Sequence, residues 1–364
     1  MTAVHQFVPA LLPRDATGQH TLALQEVLRS AGWESDLYVE SAHDDLWHHA
    51  IYFERYPERA EPGDILLYQL STASPVAEFL LGRPETLVLD YHNITPSSFY
   101  DGWEDHTSEK VALARIQAAE LAPVATLGIA DSAFNAAELR RMGCRETAVV
   151  PILVDITDGK PRVDDTELRR LATELPPATV LLFVGRISPN KTQHHLVEAL
   201  WFYRRWYDPG ARLHLVGPSF TASYVDAVFA LAEELGLADA VVHGEDLTDA
   251  ELAAWYASAD VFVCLSEHEG FCIPLLEAMQ SDVPIVAFAA GAVPETLGQA
   301  GILIDSKRPS VVAAAVHRVR GDDDLAGRLV RAGRRRLEEF LPAATGARFV
   351  EVLAALADRQ AVRS

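Results

Sequence analysis

Short apolar runs bounded by polar residues alternate with longer segments of helical period along almost the whole chain. In the first half the runs predict strands at residues 4–8, 35–39, 65–68, 86–89, 126–130 and 147–150, and helices at 19–31, 75–81, 110–121 and 133–142. In the second half the predicted strands are 180–184, 213–216, 241–242, 261–265, 285–288 and 302–304. Helices at 193–206, 224–235, 249–258 and 273–280 separate several of them, and helical pattern returns at 325–337 and 346–358. Continuous apolar runs suit strands buried on both faces, and βα alternation implies mainly parallel sheets with helices on either side. Between residues 156 and 177 the pattern lapses into TDGKPRVDDT and ELPPAT around a short helix at 167–174. The expected organisation is a domain over 1–155, a linker over 156–177 and a second domain over 178–340. Both are α/β and doubly wound, and they face one another across a cleft where ligands of such sheets bind.

Length and charge narrow the class. A chain of 364 residues is comfortable for two domains that each bury a core. Its 31 Lys and Arg stand against 52 Asp and Glu, a formal net charge of −21 that disfavours nucleic acid and anionic membrane as partners. Arg140, Arg141 and Arg145 are the nearest basic cluster and read as a solvated helix face. The first residues, MTAVHQFVPALL, lack a basic segment followed by a long apolar core, and no apolar run approaches a membrane span, so a cytoplasmic location is expected. The three cysteines, Cys144, Cys264 and Cys272, have no metal-ligand spacing and read as reduced packing residues.

Four stretches carry residues of types suited to chemistry. In VFVCLSEHEGFCIPLLEAMQ, residues 261–280, an apolar strand passes into a helix with Pro274 near its first turn, and Glu269 and Glu277 bracket the join. Carboxylates near a helix N-terminus are favoured ionised, which suits them to accept hydrogen bonds from sugar hydroxyls; they are also common there merely because of the helix dipole. Gly270 lets the backbone approach a ligand closely. In VGRISPNK, Gly185 permits a tight exit from a strand, and Arg186 and Lys191 form a cation pair without a nearby acid, fitted to a diphosphate or simply to solvent. In TLVLDYHNITPSSFY, His92 stands at the carboxyl end of a strand, over the expected cleft, or as a structural histidine satisfied locally. Near the N-terminus, LPRDATGQHTLALQ turns from strand to helix through Gly18, with no G-x-G-x-x-G or Walker pattern to support a dinucleotide or ATP site.

EHEGFCIPLLEAM resembles the E-x7-E signature of retaining GT4-family (glycosyl transferases group 1) nucleotide-sugar glycosyltransferases, which have the GT-B fold of two Rossmann-like domains. The match includes Glu269, Gly270, Phe271, Pro274, Leu276, Glu277, Ala278 and Met279, and departs at Cys272, where the family usually has Gly. GRISPNK is similar to the family's G-R-x4-K segment. The resemblance implies that Arg186 and Lys191 bind the donor diphosphate, that Glu277 holds the ribose and Glu269 the transferred sugar, and that the N–H groups of Phe271, Cys272 and Ile273 cradle the sugar and phosphate end. It also implies a sugar contact for His92, a place beside the donor phosphates for Gly18 with Asp15 and His20 near it, and a final helix, 341–364, that returns to the first domain.

The function so implied is transfer of a sugar from a UDP- or GDP-sugar to a hydroxyl acceptor with retention of configuration, with His92 and Glu269 catalytic and neither metal nor cofactor required. The acceptor is a carbohydrate, glycolipid or small molecule. Loops at 9–20, 40–62 and 97–107, with Trp47, His48, His49, Tyr52, Phe53, Tyr100 and Trp103, are where acceptor contacts are expected. Two alternatives stand beside it: a nucleotide-sugar epimerase on the same fold, and a catalytically silent sugar-nucleotide-binding partner.

Overall fold

A computed structural model describes residues 3–13, 15–157, 159–173 and 178–361. The expected linker and the expected terminal segment 341–364 fall partly outside the described residues. The chain forms two compact units, the first Met1–Ser98, His106–Asp155 and Phe340–Ser364, the second Phe99–Asp105 and Ile156–Glu339.

The first unit runs β1 (Val4–Leu11), α1 (Ala16–Ser30), β2 (Leu37–Ala42), β3 (Ala50–Tyr52), β4 (Ile65–Leu70), α2 (Pro75–Leu81), β5 (Thr86–Tyr91), α3 (Asp105–Leu121), β6 (Leu127–Ala130), α4 (Ala133–Arg141) and β7 (Thr147–Val149). Its seven strands are parallel in the order β3-β2-β1-β4-β5-β6-β7. Side chains alternate across the sheet with period two. Ile65, Leu67 and Val88 bury into one layer with Leu24 and Leu28 of α1, while Leu66, Tyr68, Leu70, Leu87 and Leu89 bury into the other with Val76 and Leu80 of α2. This is why both strands read as unbroken apolar runs.

The second unit runs α5 (Asp165–Thr173), β8 (Val180–Val184), α6 (Gln193–Trp206), β9 (Arg212–Val216), α7 (Ala222–Glu234), β10 (Val241–Gly244), α8 (Asp249–Ser258), β11 (Val261–Cys264), α9 (Ile273–Gln280), β12 (Ile285–Phe288), α10 (Val293–Leu297), β13 (Gly301–Ile304), α11 (Pro309–Arg320) and α12 (Asp323–Leu337). Six parallel strands lie in the order β10-β9-β8-β11-β12-β13. The short helix expected within the linker is α5, and it is docked: Trp255 Nε1 of α8 donates to Glu167 at 2.9 Å, and Asp164 N–H to Ala250 O at 2.9 Å. Phe99–Asp105, expected in the first domain, also packs here, with Trp103 edge-on to Tyr224 at 5.2 Å and Ser223 Oγ donating to Trp103 O at 2.6 Å.

The chain then closes with α13 (Pro342–Ala361), which returns to the first unit. Phe349, Leu353 and Leu356, at helical spacing, are buried with Val4, Leu24 and Ile65. Asp323–Ala361 contains a window long and apolar enough to count as a membrane span, contrary to expectation. The apolar face of α13 within it is spent on this core, at about 1.5–3 kcal/mol for each large side chain buried.

Candidate functional site

In the second sheet the connections diverge between neighbouring strands β8 and β11, the topological switch point where ligands of doubly wound sheets bind. The loops leaving these two strands carry Arg186 and Lys191 on one side and Glu269 to Cys272 on the other. The loops are stapled together: Thr192 Oγ1 donates to Leu265 O at 2.7 Å, and Glu267 N–H to Asn190 O at 2.9 Å. Thr192 takes a left-handed conformation, φ 54°, to start α6.

The stapling sets Lys191 Nζ 2.6 Å from Glu269 Oε1, with both side chains largely buried. The expected cation pair without a nearby acid is therefore corrected: 78 residues separate Lys191 from its partner. Burial alone would lower the Lys191 pKa; the Glu269 carboxylate more than offsets it, and the net shift is upward. Arg186 is exposed and lies over the Phe220 ring, 4.9 Å from its centroid.

Glu269 is placed by its backbone. Ala292 N–H donates to Glu269 O at 2.9 Å, and a Cβ on Gly291, φ +55°, would stand 2.5 Å from that same oxygen. Cys272, φ 74° and ψ 67°, is the N-cap of α9 and makes no side-chain capping bond. Left-handed backbone at this position favours glycine, and a side chain there costs about 1–2 kcal/mol. Phe271 O accepts from the buried Thr296 Oγ1 at 2.6 Å. Ile273 and Pro274 open the helix, so Pro274 contributes no N–H to its first turn.

Glu277 lies in the second turn of α9, accepting from Tyr256 OH at 2.7 Å. Its carboxyl is pushed up, chiefly by burial and further by Asp249, while the Tyr256 hydrogen bond opposes the shift. The expectation that the helix terminus favours its ionised form is corrected, because the dipole's influence fades beyond the first turn.

In the first unit His92 follows β5 at the end of a buried polar chain whose donors and acceptors can be assigned. Gln6 Nε2 donates to Thr21 O at 3.0 Å, so its Oε1 accepts from Gln69 Nε2 at 2.9 Å. Gln69 Oε1 then faces His92 Nε2 at 2.6 Å, and both Asp131 oxygens lie 3.2 Å from His92 Nδ1. Both ring nitrogens face acceptors, which makes His92 an imidazolium. Burial would lower its pKa, but Asp131 and Asp90 raise it to about 9. His20 differs: its Nδ1 accepts from Leu153 N–H at 2.9 Å, so its proton is on Nε2, directed at Asp90 Oδ2 2.9 Å away.

Gly18 is not the turn residue that was expected. It lies in the first turn of α1, where a Cβ would come 2.9 Å from Leu12 O, and Asp15 is the N-cap, accepting from Gly18 N–H at 3.1 Å.

Sequence reasoning missed Gln6, Gln69, Asp90, Asp131, Tyr256, Thr296 and Gly291 as supports of these groups. The first three had a signal: each is a polar residue inside a mostly apolar strand. Tyr256 and Thr296 had none: Tyr256 read as an ordinary helix position, and Thr296 fell outside every predicted element.

Two groups of potential metal ligands occur among the described residues, His20 with Asp90 and His92, and Cys264 with Glu269 and Cys272. In the first, the facing histidine nitrogens carry protons. In the second, the Lys191 ammonium already occupies the side of Glu269 a cation would take.

The two parallel sheets and returning terminal helix define the GT-B fold of glycosyltransferases. Anabaena HepE, solved with UDP-glucose, superposes with a TM-score of 0.76 at 18% identity over 97% of this chain and 99% of its own. Sucrose-phosphate synthase from Thermosynechococcus elongatus gives 0.75 at 18% identity over 97% and 99%. Residues 165–336, the stretch that contains Arg186, Lys191, Glu269 and Glu277, match the glycosyl transferases group 1 family. A D-inositol 3-phosphate glycosyltransferase of Thermomonospora curvata is 35% identical over 208 residues, 53% of this chain and 48% of that protein. A GDP-mannose-dependent alpha-(1-6)-phosphatidylinositol monomannoside mannosyltransferase of Mycolicibacterium smegmatis is 31% identical over 214 residues, 56% and 55%. The chain thus spans about half the length of these curated relatives.

Proposed function

We propose that the protein is a glycosyltransferase that moves a sugar from a UDP- or GDP-sugar to a hydroxyl acceptor with retention of anomeric configuration and without a metal. The observation that carries the reading is the Lys191–Glu269 pair at the switch point of the second sheet, inside the stretch that matches the family. A nucleotide sugar carries its charge at the diphosphate and only hydroxyls at its ends, so cations meet the middle and carboxylates the ends. On this reading Lys191 turns from Glu269 to the diphosphate when donor binds, and Glu269 is freed to accept from sugar hydroxyls. Glu277, held by Tyr256, receives the ribose hydroxyls.

Leaving-group charge is carried by Arg186, Lys191 and the N–H groups of Phe271, Cys272 and Ile273, which supply the positive field a divalent ion would otherwise provide. The departing phosphate takes the acceptor proton on the same face of the sugar. His92, protonated, cannot act as a base; on this reading its imidazolium positions the transferred sugar, releasing Gln69 to do so. The GDP-mannose-dependent relative supports a hexose as the transferred group, and the inositol phosphate and phosphatidylinositol monomannoside of the two relatives support a polyol or glycolipid as acceptor. The domain division follows the two units, and the fold and charge are consistent with a cytoplasmic enzyme.

The test is a thermal-shift screen against UDP, GDP, ADP, TDP and CDP with and without magnesium, since a ligand bound only by the folded state raises the unfolding temperature. A metal-independent shift with one nucleotide fixes the donor class, and NMR of the product made from its sugars reads the anomeric outcome. Absence of any shift overturns the donor site; a shift without hydrolysis or transfer favours a silent binding partner, and conversion of the sugar without acceptor favours an epimerase.

A further inference from the structure

Cys264 ends β11 and Cys272 caps α9, so the two cysteines read from the sequence as separate packing residues close the two ends of one loop. Their sulfurs are 3.9 Å apart, in van der Waals contact, and both are free thiols with 1% and 7% of their surface exposed. Between them lie Glu269, Gly270 and Phe271. The third cysteine, Cys144, belongs to the first unit and bonds to Glu146 O at 3.2 Å.

We propose that Cys264 and Cys272 are a reversible oxidation site that closes to a disulfide when the protein meets a peroxide. The surroundings divide the roles. Cys264 Sγ is 3.4 Å from Ser266 Oγ and faces the Cys272 thiol; that hydrogen bond, more than offsetting burial, lowers the Cys264 pKa and makes it the first thiolate. The same hydrogen bond, then burial, raises Cys272.

The Cys264 thiolate attacks one peroxide oxygen and breaks the O–O bond, giving a Cys264 sulfenic acid and hydroxide, which leaves as water after taking a proton. Cys272 gives up its proton as its sulfur attacks the Cys264 sulfur, 3.9 Å away in the resting protein. The S–S bond forms, the S–O bond breaks, and the leaving hydroxide takes that proton as a second water. Two thiols and one hydrogen peroxide become one disulfide and two waters.

Closure to an S–S bond of about 2.05 Å draws the sulfurs together from 3.9 Å. Cys272 holds a left-handed backbone between Phe271 and Ile273, so the movement passes directly into the amides beside it. Resting on the donor-site reading above, oxidation therefore weakens nucleotide binding, and reduction restores it.

The test uses the whole chain exposed to hydrogen peroxide, quenched with a thiol alkylator and digested without reduction by a protease that cuts after Glu267 or Glu269, between the two cysteines. The expected result is a linked peptide pair containing Cys264 and Cys272, about 2 Da lighter than the two free peptides and released by dithiothreitol. Titratable thiols in denaturant fall from three to one, and from two to none in Cys144→Ser. Three alkylated thiols after treatment, or separate sulfinic acids without a link, overturn the site. In the same samples the nucleotide found by thermal shift should bind the oxidised form at least about tenfold more weakly. A disulfide with unchanged nucleotide affinity overturns the coupling to the donor site. A disulfide in a protein that binds no nucleotide in either state sustains the oxidation site and sinks the glycosyltransferase reading instead.

Discussion

Lys191 Nζ and Glu269 Oε1 are 2.6 Å apart, although the residues come from different loops and stand 78 positions apart in the chain. The ammonium is thereby held beside the turn that carries Glu269, and on the proposed reading the pair loosens when donor binds. Lys191→Ala leaves a largely buried carboxylate unpaired and is expected to lower stability by about 2–3 kcal/mol, read from urea unfolding, and to abolish nucleotide binding. Glu269→Gln is expected to keep nucleotide binding, because Lys191 is then free for phosphate, while transfer falls by about a hundredfold or more. Near-normal turnover in both variants would remove the pair from the mechanism.

The backbone at Cys272 makes a second prediction that is independent of function. Cys272→Ala and Cys272→Gly both remove the thiol, but only glycine relieves the φ of 74°. The glycine variant should be the more stable by about 1 kcal/mol in chemical denaturation. Equal stability would mean that the left-handed conformation carries no strain.

Gly291 is expected to tolerate no side chain. A Cβ there meets Glu269 O at 2.5 Å in a positive-φ conformation, so Gly291→Ala must displace the turn that carries Glu269. The variant should lose about 2 kcal/mol or more of stability and most of its nucleotide-dependent thermal shift. A variant with the stability and binding of the parent would disprove the close approach.

His92 sets a pH dependence of known sign. Its folded pKa, about 9, lies above the ordinary histidine value of 6.5, so its contribution to stability is complete below about pH 6.5 and is lost as pH rises through 9. Full expression of that shift is worth about 3 kcal/mol at most. Urea unfolding of the parent protein and His92→Gln between about pH 6 and pH 10 should show the gap between them narrowing with rising pH. A gap constant over that range would place the proton elsewhere.

What was legible in the chain was what depends on local pattern. The strands at Val180–Val184 and Ile285–Phe288 and the helices Pro75–Leu81 and Ile273–Gln280 fall where the apolar runs and the helix-start proline put them. Strand β3, Ala50–Tyr52, was missed because three residues at a sheet edge after DDLWHH make no run. Helices α10 and α11 were also missed, the first five residues long and the second written in a nearly continuous VVAAAV apolar stretch that blurs its period. The site's residue types were readable, but their partners were not. The Lys191–Glu269 pair, the Tyr256 hydrogen bond to Glu277 and the two acceptors around His92 all arise from tertiary placement, to which no spacing along the chain corresponds.

Helix α13 has a consequence for how the protein comes into being. The layer of the first sheet formed by Val4, Ile65 and Val88 is completed by Phe349, Leu353 and Leu356, which follow the whole second unit in the chain. That layer of the first unit's core therefore stays incomplete until the whole second unit has emerged, whereas the layer around Leu66, Tyr68 and Leu70 needs nothing from α13. A chain released early, at any point before α13, would carry a finished second unit and an open first one, and quality-control proteases would find the defect at the opposite end of the sequence from the missing residues.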